Sequence, residues 1–140
     1  MDAAKLARAA GEAMLREDRA SRFLGMTLEE LRPGYARVTM PVTAQMANGQ
    51  DLCHGGMIFS LADSSFGFAC NSRNQRALAA SCSIDFLAPA RIGDVLTAEC
   101  REQALAGRTG VYDARVVNQS GELIALFRGK SATVKGKWIE

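Results

Sequence analysis

The chain has 140 residues, 48% of them hydrophobic and 23% charged, with a net charge of +2 and an aromatic content of 6%. So small a charge leaves no nucleic-acid footprint or basic membrane patch, and so few aromatics leave no base-stacking platform. The length suits a single domain over 1–140 with a real core, and no apolar window is long enough for a membrane span.

The first element expected is a helix over 1–22. Ala3 to Ser21 is alanine-rich, carries Leu6, Ala10, Ala13 and Met14 at helical spacing, and has Asp2 placed to cap it. Asp2, Lys5, Arg8 and Glu12 mix charges in a way no signal peptide does, so a cytoplasmic location is expected. From Gly34 the period becomes two. Ala36, Val38, Met40 and Val42 alternate with Tyr35, Arg37 and Thr39 as a half-buried strand. Ala44 to Cys53 reads as a loop with turn chemistry at Asn48-Gly49. A central helix follows over 56–71, apolar on nearly every face.

Beyond Asn74 the pattern is strands: Ala77 to Leu87, Asp94 to Leu105, Thr109 to Asn118 and Glu122 to Val134. Turns at Gly107 and at Asn118–Gly121 separate the last three. Consecutive hairpins imply an antiparallel sheet, and an apolar helix needs cover on most sides. The fold class is therefore α+β, with the sheet curled around the helix.

The four cysteines, Cys53, Cys70, Cys82 and Cys100, never form C-x-x-C, and His54 is the only histidine. Neither a zinc site nor a disulfide framework is expected. They read as small buried hydrophobes, with Cys53 singled out for reactivity only because it precedes His54. RGKS at Arg128–Ser131 resembles the end of a P-loop, but Ile124 stands where its first glycine belongs.

The chemistry concentrates in N-G-Q-D-L-C-H-G-G-M-I-F-S-L-A-D, Asn48 to Asp63. Gly55 and Gly56 open the central helix, where backbone N–H groups lack partners and the helix dipole attracts an anion or a developing oxyanion. The same pair also fits a plain tight turn. Asp63 is either one of a solvated stripe with Ser60 and Ser64 or a carboxylate in a partly dry cleft, fit to act as base or nucleophile. His54 reads as a structural hydrogen-bonding residue or as a substrate contact, and the Asn48 amide could hold a water.

Spacing constrains the choice. Gly56 and Asp63 are two turns apart on one face, which at ~1.5 Å per residue separates them by about 10 Å. That is too far for one reacting carbonyl. Two antiparallel copies of the helix across a twofold axis would bring each Asp63 to the other chain's Gly55-Gly56 turn.

The pattern N-G-x-x-x-C-H-G-G-x-x-F-S-L-A-D, followed by S-C-S-I-D-F-L-x-P, G-D-x-L, T-G-V-Y-D, V-V-N-Q and A-L-F-R-G-K-S, resembles the hotdog-fold thioesterases of the PaaI type. The likeness runs from about Val42 to Ser131. It implies a long helix wrapped by an antiparallel sheet, dimers with shared sites that pair into tetramers, and hydrolysis of acyl-CoA thioesters. The substrates it implies are aryl-acyl-CoAs of the hydroxylated phenylacetyl-CoA kind, with CoA as part of the substrate and no cofactor, metal, membrane or nucleic acid required.

By the same resemblance Asp63 is the catalytic carboxylate, the Gly55 N–H polarises the carbonyl, and His54 supports that turn. Asn48 holds the attacking water or the substrate, and Ser64 fills a position where the family often carries a hydroxyl. Gly56 and Phe59 line the substrate site, with Phe66 and Phe86 as further walls of an acyl pocket. The CoA phosphates need cations, for which Arg108 is named ahead of Arg73, Arg76, Arg91, Arg128 and Lys130. Two other readings stay open: a non-catalytic acyl-CoA sensor, and a hotdog enoyl-CoA hydratase.

Overall fold

Glycine at both ends of the segment after His54 gives it poor helix propensity, roughly 1 kcal/mol lost per interior Gly relative to Ala. It is helical nonetheless, because burial decides. In the computed structural model, which describes every residue from Met1 to Glu140, this segment is helix α3 (Gly55–Cys70). Ile58, Leu61, Ala62, Ser65, Phe66, Phe68 and Ala69 are buried along it.

What buries them is one six-stranded antiparallel sheet, ordered β1-β2-β4-β5-β6-β3. Its strands are β1 (Thr27–Arg32), β2 (Tyr35–Pro41), β3 (Ala77–Phe86), β4 (Val95–Ala106), β5 (Thr109–Val117) and β6 (Leu123–Thr133). The helix packs against the inner face of all six. On β5 Tyr112, Ala114 and Val116 point inward while Asp113 and Arg115 point out, as the alternation requires.

Phe66 is the centre of the core. Its ring lies 5.5 Å from that of Tyr112 and 5.7 Å from that of Phe127. A Cβ at Gly129 of β6 would sit 2.8 Å from this ring, so the strand carries glycine where the Phe66 ring presses on it. Phe66 is 1% exposed. It is core, not a wall of an acyl pocket, which corrects the expectation from sequence: the stacking partners that claim it are 46 and 61 residues further along the chain.

One expectation at the N-terminus also needs correcting. The helix expected over 1–22 is two helices, α1 (Ala3–Glu17) and α2 (Arg19–Phe23). Asp2 caps α1 as expected, accepting from Lys5 N–H at 2.8 Å. Asp18 leaves the helical region at ψ 89° and caps α2, accepting from Ser21 N–H at 2.9 Å. Strand β1, in turn, had no sequence signal. Its inward residues Leu28 and Leu31 are three apart, which a regular strand would send to opposite faces; a bulge between Leu28 and Glu30 restores them to one face.

The edge strand β3 is mostly exposed, Leu78 at 62% and Phe86 at 50%. It hydrogen-bonds to β6 on one side and to no strand on the other. No helix of the chain is long and apolar enough to cross a membrane.

Candidate active site

His54 is the N-cap of α3, with extended backbone. Its Nδ1 accepts from the Gly56 N–H at 2.9 Å, which leaves the neutral ring's proton on Nε2. The Met57 N–H donates to the His54 carbonyl at 2.9 Å, and the Ile58 N–H reaches it at 3.4 Å. Of the four orphan donors that open a helix, only the Gly55 N–H then has no acceptor within the chain. The two residues before it are pinned, with His54 N–H donating to Met46 O at 2.7 Å and Cys53 N–H to Ala90 O at 2.8 Å. The His-Gly-Gly turn therefore presents one aimed backbone donor at the positive end of a 16-residue helix. Gly56, expected among the ligand-contacting residues, spends its N–H on His54.

Gly55 opens onto a cleft of about 370 Å³ lined by Asn48, Leu52, Ile58, Phe86 and Ala90 among others. A Cβ on Gly55 would come 3.2 Å from the Phe86 ring, so glycine here permits close approach to the N–H. Asn48 lies at the rim. Its Oδ1 accepts from Gln50 N–H at 2.9 Å and Leu52 N–H at 3.2 Å, so the amide holds its own loop and keeps only Nδ2 as a free donor.

Asp63 faces a different cleft, about 470 Å³, between α3 and the α1–α2 segment. Phe59, Ser60, Ser64 and Gly67 form its floor, and Met14, Asp18, Ser21 and Leu24 one wall. Phe59 is fixed by an edge-to-face contact with Phe127, centroids 5.6 Å apart. Burial pushes the Asp63 carboxyl above its usual range, the Asp18 carboxylate adds to the rise, and the Cys82 thiol, 3.9 Å from Oδ1, opposes it. Ser64 Oγ lies 2.7 Å from Ser21 Oγ.

Within one chain the structure brings together Asn48, His54 and Gly55 at one cleft, and Phe59, Asp63 and Ser64 at another. It does not bring the two sets together. Gly55 and Asp63 are eight residues apart on a straight helix, about 12 Å at ~1.5 Å per residue. Arg108 joins neither set. It sits in the β4–β5 turn, bonded to Thr133 O at 3.0 Å, near Arg73 and Cys70 at the far end of α3.

Sequence reasoning missed Asp18, Ser21 and Cys82 as neighbours of the carboxylate. Asp18 could have been found: an Asp inside an alanine-rich helical run, three residues before a Ser, is a cap signal. Cys53 is buried at 5% exposed and its thiol is pushed up by burial, so adjacency to His54 gives it no reactivity.

The chain is similar to known proteins over most of its length. The family model of the thioesterase superfamily matches residues 50–125, from the Asn48 loop into β6. The acyl-coenzyme A thioesterase PaaI of Escherichia coli (strain K12) is 48% identical over 124 residues, 89% of each chain. The structure of the E. coli PaaI protein from the phenylacetic acid degradation operon superposes with a TM-score of 0.95 at 45% identity, covering 97% of this chain and 99% of that one. A Streptococcus mutans UA159 protein crystallised with acetyl CoA has a TM-score of 0.76 at 28% identity, covering 80% and 90%. The helix wrapped by an antiparallel sheet is thus the hotdog fold.

Proposed function

The chain belongs to the thioesterase superfamily and is a thioester hydrolase, and on that premise we propose that it cleaves aryl-acyl-CoA thioesters to the free acid and CoA in sites shared by two copies. One observation carries this reading: α3 offers a single unpartnered N–H at Gly55 and, two turns on, a half-buried carboxylate with a raised pKa. These are the two groups that thioester hydrolysis needs, and one chain keeps them in separate clefts.

Pairing of β3 with its copy supports the second half of the proposal. Ala77–Phe86 is a ten-residue edge strand whose side chains are uncharged up to Asp85, with one bulge between Ala79 and Ser81 and a regular run from Ser81 to Phe86. Such an edge is a template for another strand. An antiparallel twofold pairing there sets the two α3 helices antiparallel, with the partner subunit's Asp63 beside Gly55. The same operation carries Arg108 and Arg73, at the far end of one helix, toward the mouth beside the other helix's start, where CoA phosphates would lie.

The reaction then follows from charge. The carbonyl oxygen lies on the Gly55 N–H, which stabilises the oxyanion as it develops. Asp63 takes a proton from water while the water oxygen bonds to the carbonyl carbon. The oxyanion collapses, the C–S bond breaks, and CoA leaves as the thiolate, which takes up the proton that Asp63 received. Asn48 Nδ2 is a second donor at the Gly55 cleft, for the substrate's amide carbonyls or for the water. The relative acting in phenylacetate degradation and the aromatic rim at Phe59 and Phe86 favour an aryl acyl group, hydroxylated phenylacetyl-CoA in particular.

The test is a thiol-release assay across aryl and alkyl acyl-CoAs. Wild-type protein is expected to release CoA fastest from aryl-acetyl-CoAs, and Asp63→Asn to lose at least a hundredfold in kcat with an unchanged fold, on the order typical for a lost catalytic group. Turnover by Asp63→Asn at the wild-type rate would remove the carboxylate from the mechanism.

A further inference from the structure

The α1–α2 break has a consequence for the site. Asp18 uses both carboxylate oxygens inside the chain: Oδ1 accepts from Ser21 N–H at 2.9 Å, and Oδ2 accepts from Ser21 Oγ–H at 2.6 Å. A serine hydroxyl has one proton to give. With that proton committed to Asp18, Ser21 Oγ meets Ser64 Oγ at 2.7 Å as the acceptor, so the Ser64 proton points at Ser21. Ser21 is 2% exposed, whereas Ser64 is half-buried and lines the cleft. Ser64 therefore has no proton for the cleft and turns lone pairs to it, one residue from Asp63.

We propose that Asp18 and Ser21 are positioning residues that act through Ser64, setting its hydroxyl as an acceptor for the attacking water. The inference rests on the hydrolytic reading above. Water has two protons and must aim a lone pair at the carbonyl carbon. Two acceptors on adjacent helix positions, Asp63 for the proton that leaves and Ser64 for the one that stays, hold it in that orientation. A donor at position 64 would instead compete with the carbonyl carbon for the attacking lone pair. The chain Asp18–Ser21–Ser64 decides between these two states by the direction of its protons.

Asp18→Asn separates this role from a structural one. Asn still caps α2 through Oδ1, but its Nδ2 donates to Ser21 Oγ, which reverses the chain and makes Ser64 a donor to the cleft. Thiol release is measured at a pH on the activity plateau, with melting curves alongside. We expect Asp18→Asn to lower kcat about tenfold with KM within twofold of wild type, the scale of one misdirected hydrogen bond.

Ser21→Ala cuts the chain and leaves Ser64 free to rotate, so it costs less. The double variant Asp18→Asn with Ser21→Ala, in which nothing is left to reverse, regains the Ser21→Ala rate. That recovery by a second lesion is a result that loss of packing cannot produce. If wild type releases thiol normally and the double variant is as slow as the product of the two single losses, or if Asp18→Asn turns over at the wild-type kcat, the relay is wrong while the hydrolytic reading stands. If wild type itself releases no thiol, it is the hydrolytic reading that fails.

Discussion

Asp63 is held in a state that costs the fold and, in the proposed mechanism, serves the chemistry. Burial raises its pKa and Asp18 adds to the rise. A carboxylate acts as base only when ionised, so kcat/KM falls as pH drops through a value above the usual carboxylate range. Asp18→Asn removes one of the raising charges and should move that acid limb to lower pH, read from the kcat/KM profile. The stability sign is the reverse. A pKa raised on folding means the folded state binds the proton more tightly, so the penalty is absent below the ordinary carboxylate value and complete above the raised one. Asp63→Asn should therefore melt a few degrees above wild type at neutral pH and show no advantage at the acid end, where a flat difference would contradict the assignment. The cap at His54, the turn at Gly55 and the placing of Asp63 on the same helix were legible in the sequence because all three share one short segment. Asp18 carried a cap signal, but its bearing on the site, and that of Ser21, was not legible, because the Ser21–Ser64 contact that joins them to α3 spans 43 residues.

At the scale of elements, helix α3 is made by what surrounds it rather than by its own propensity. The place where that dependence is tightest is Gly129 against Phe66. Gly129→Ala puts a Cβ into a ring already packed between Tyr112 and Phe127, an overpacking that costs roughly 1–3 kcal/mol. Thermal melting should register the loss, and adding Phe66→Leu should return part of it. A Gly129→Ala protein as stable as wild type would mean that the helix shifts freely on the sheet. The alternation of β2, β4, β5 and β6 was readable because one face of each is buried and the other is not. β1 was not, since its bulge breaks the period that the reading depends on. Nor could periodicity place β3 at the edge beside β6 rather than next to β4, because alternation tells which face is buried and says nothing about which strand is the neighbour.

Taken as a whole, one chain holds an unpartnered helix-opening N–H and a carboxylate on a single rigid rod, too far apart to meet, together with an uncovered edge strand. The central claim is that a twofold axis through that edge completes the site. Co-expression of Asp63→Ala chains with Gly55→Pro chains tests it directly. Proline removes the Gly55 N–H, yet it suits the first position of a helix, and His54 before it is already extended as proline requires. The atoms nearest a Cβ at this position belong to the half-exposed Phe86 ring. Each homodimer of either variant lacks an essential group at both sites. Random pairing makes about half the dimers mixed, each with one site that has both Gly55 and Asp63 intact, so the account predicts thiol release at about a quarter of the wild-type rate. A co-expressed sample no more active than the two variants measured apart would contradict it.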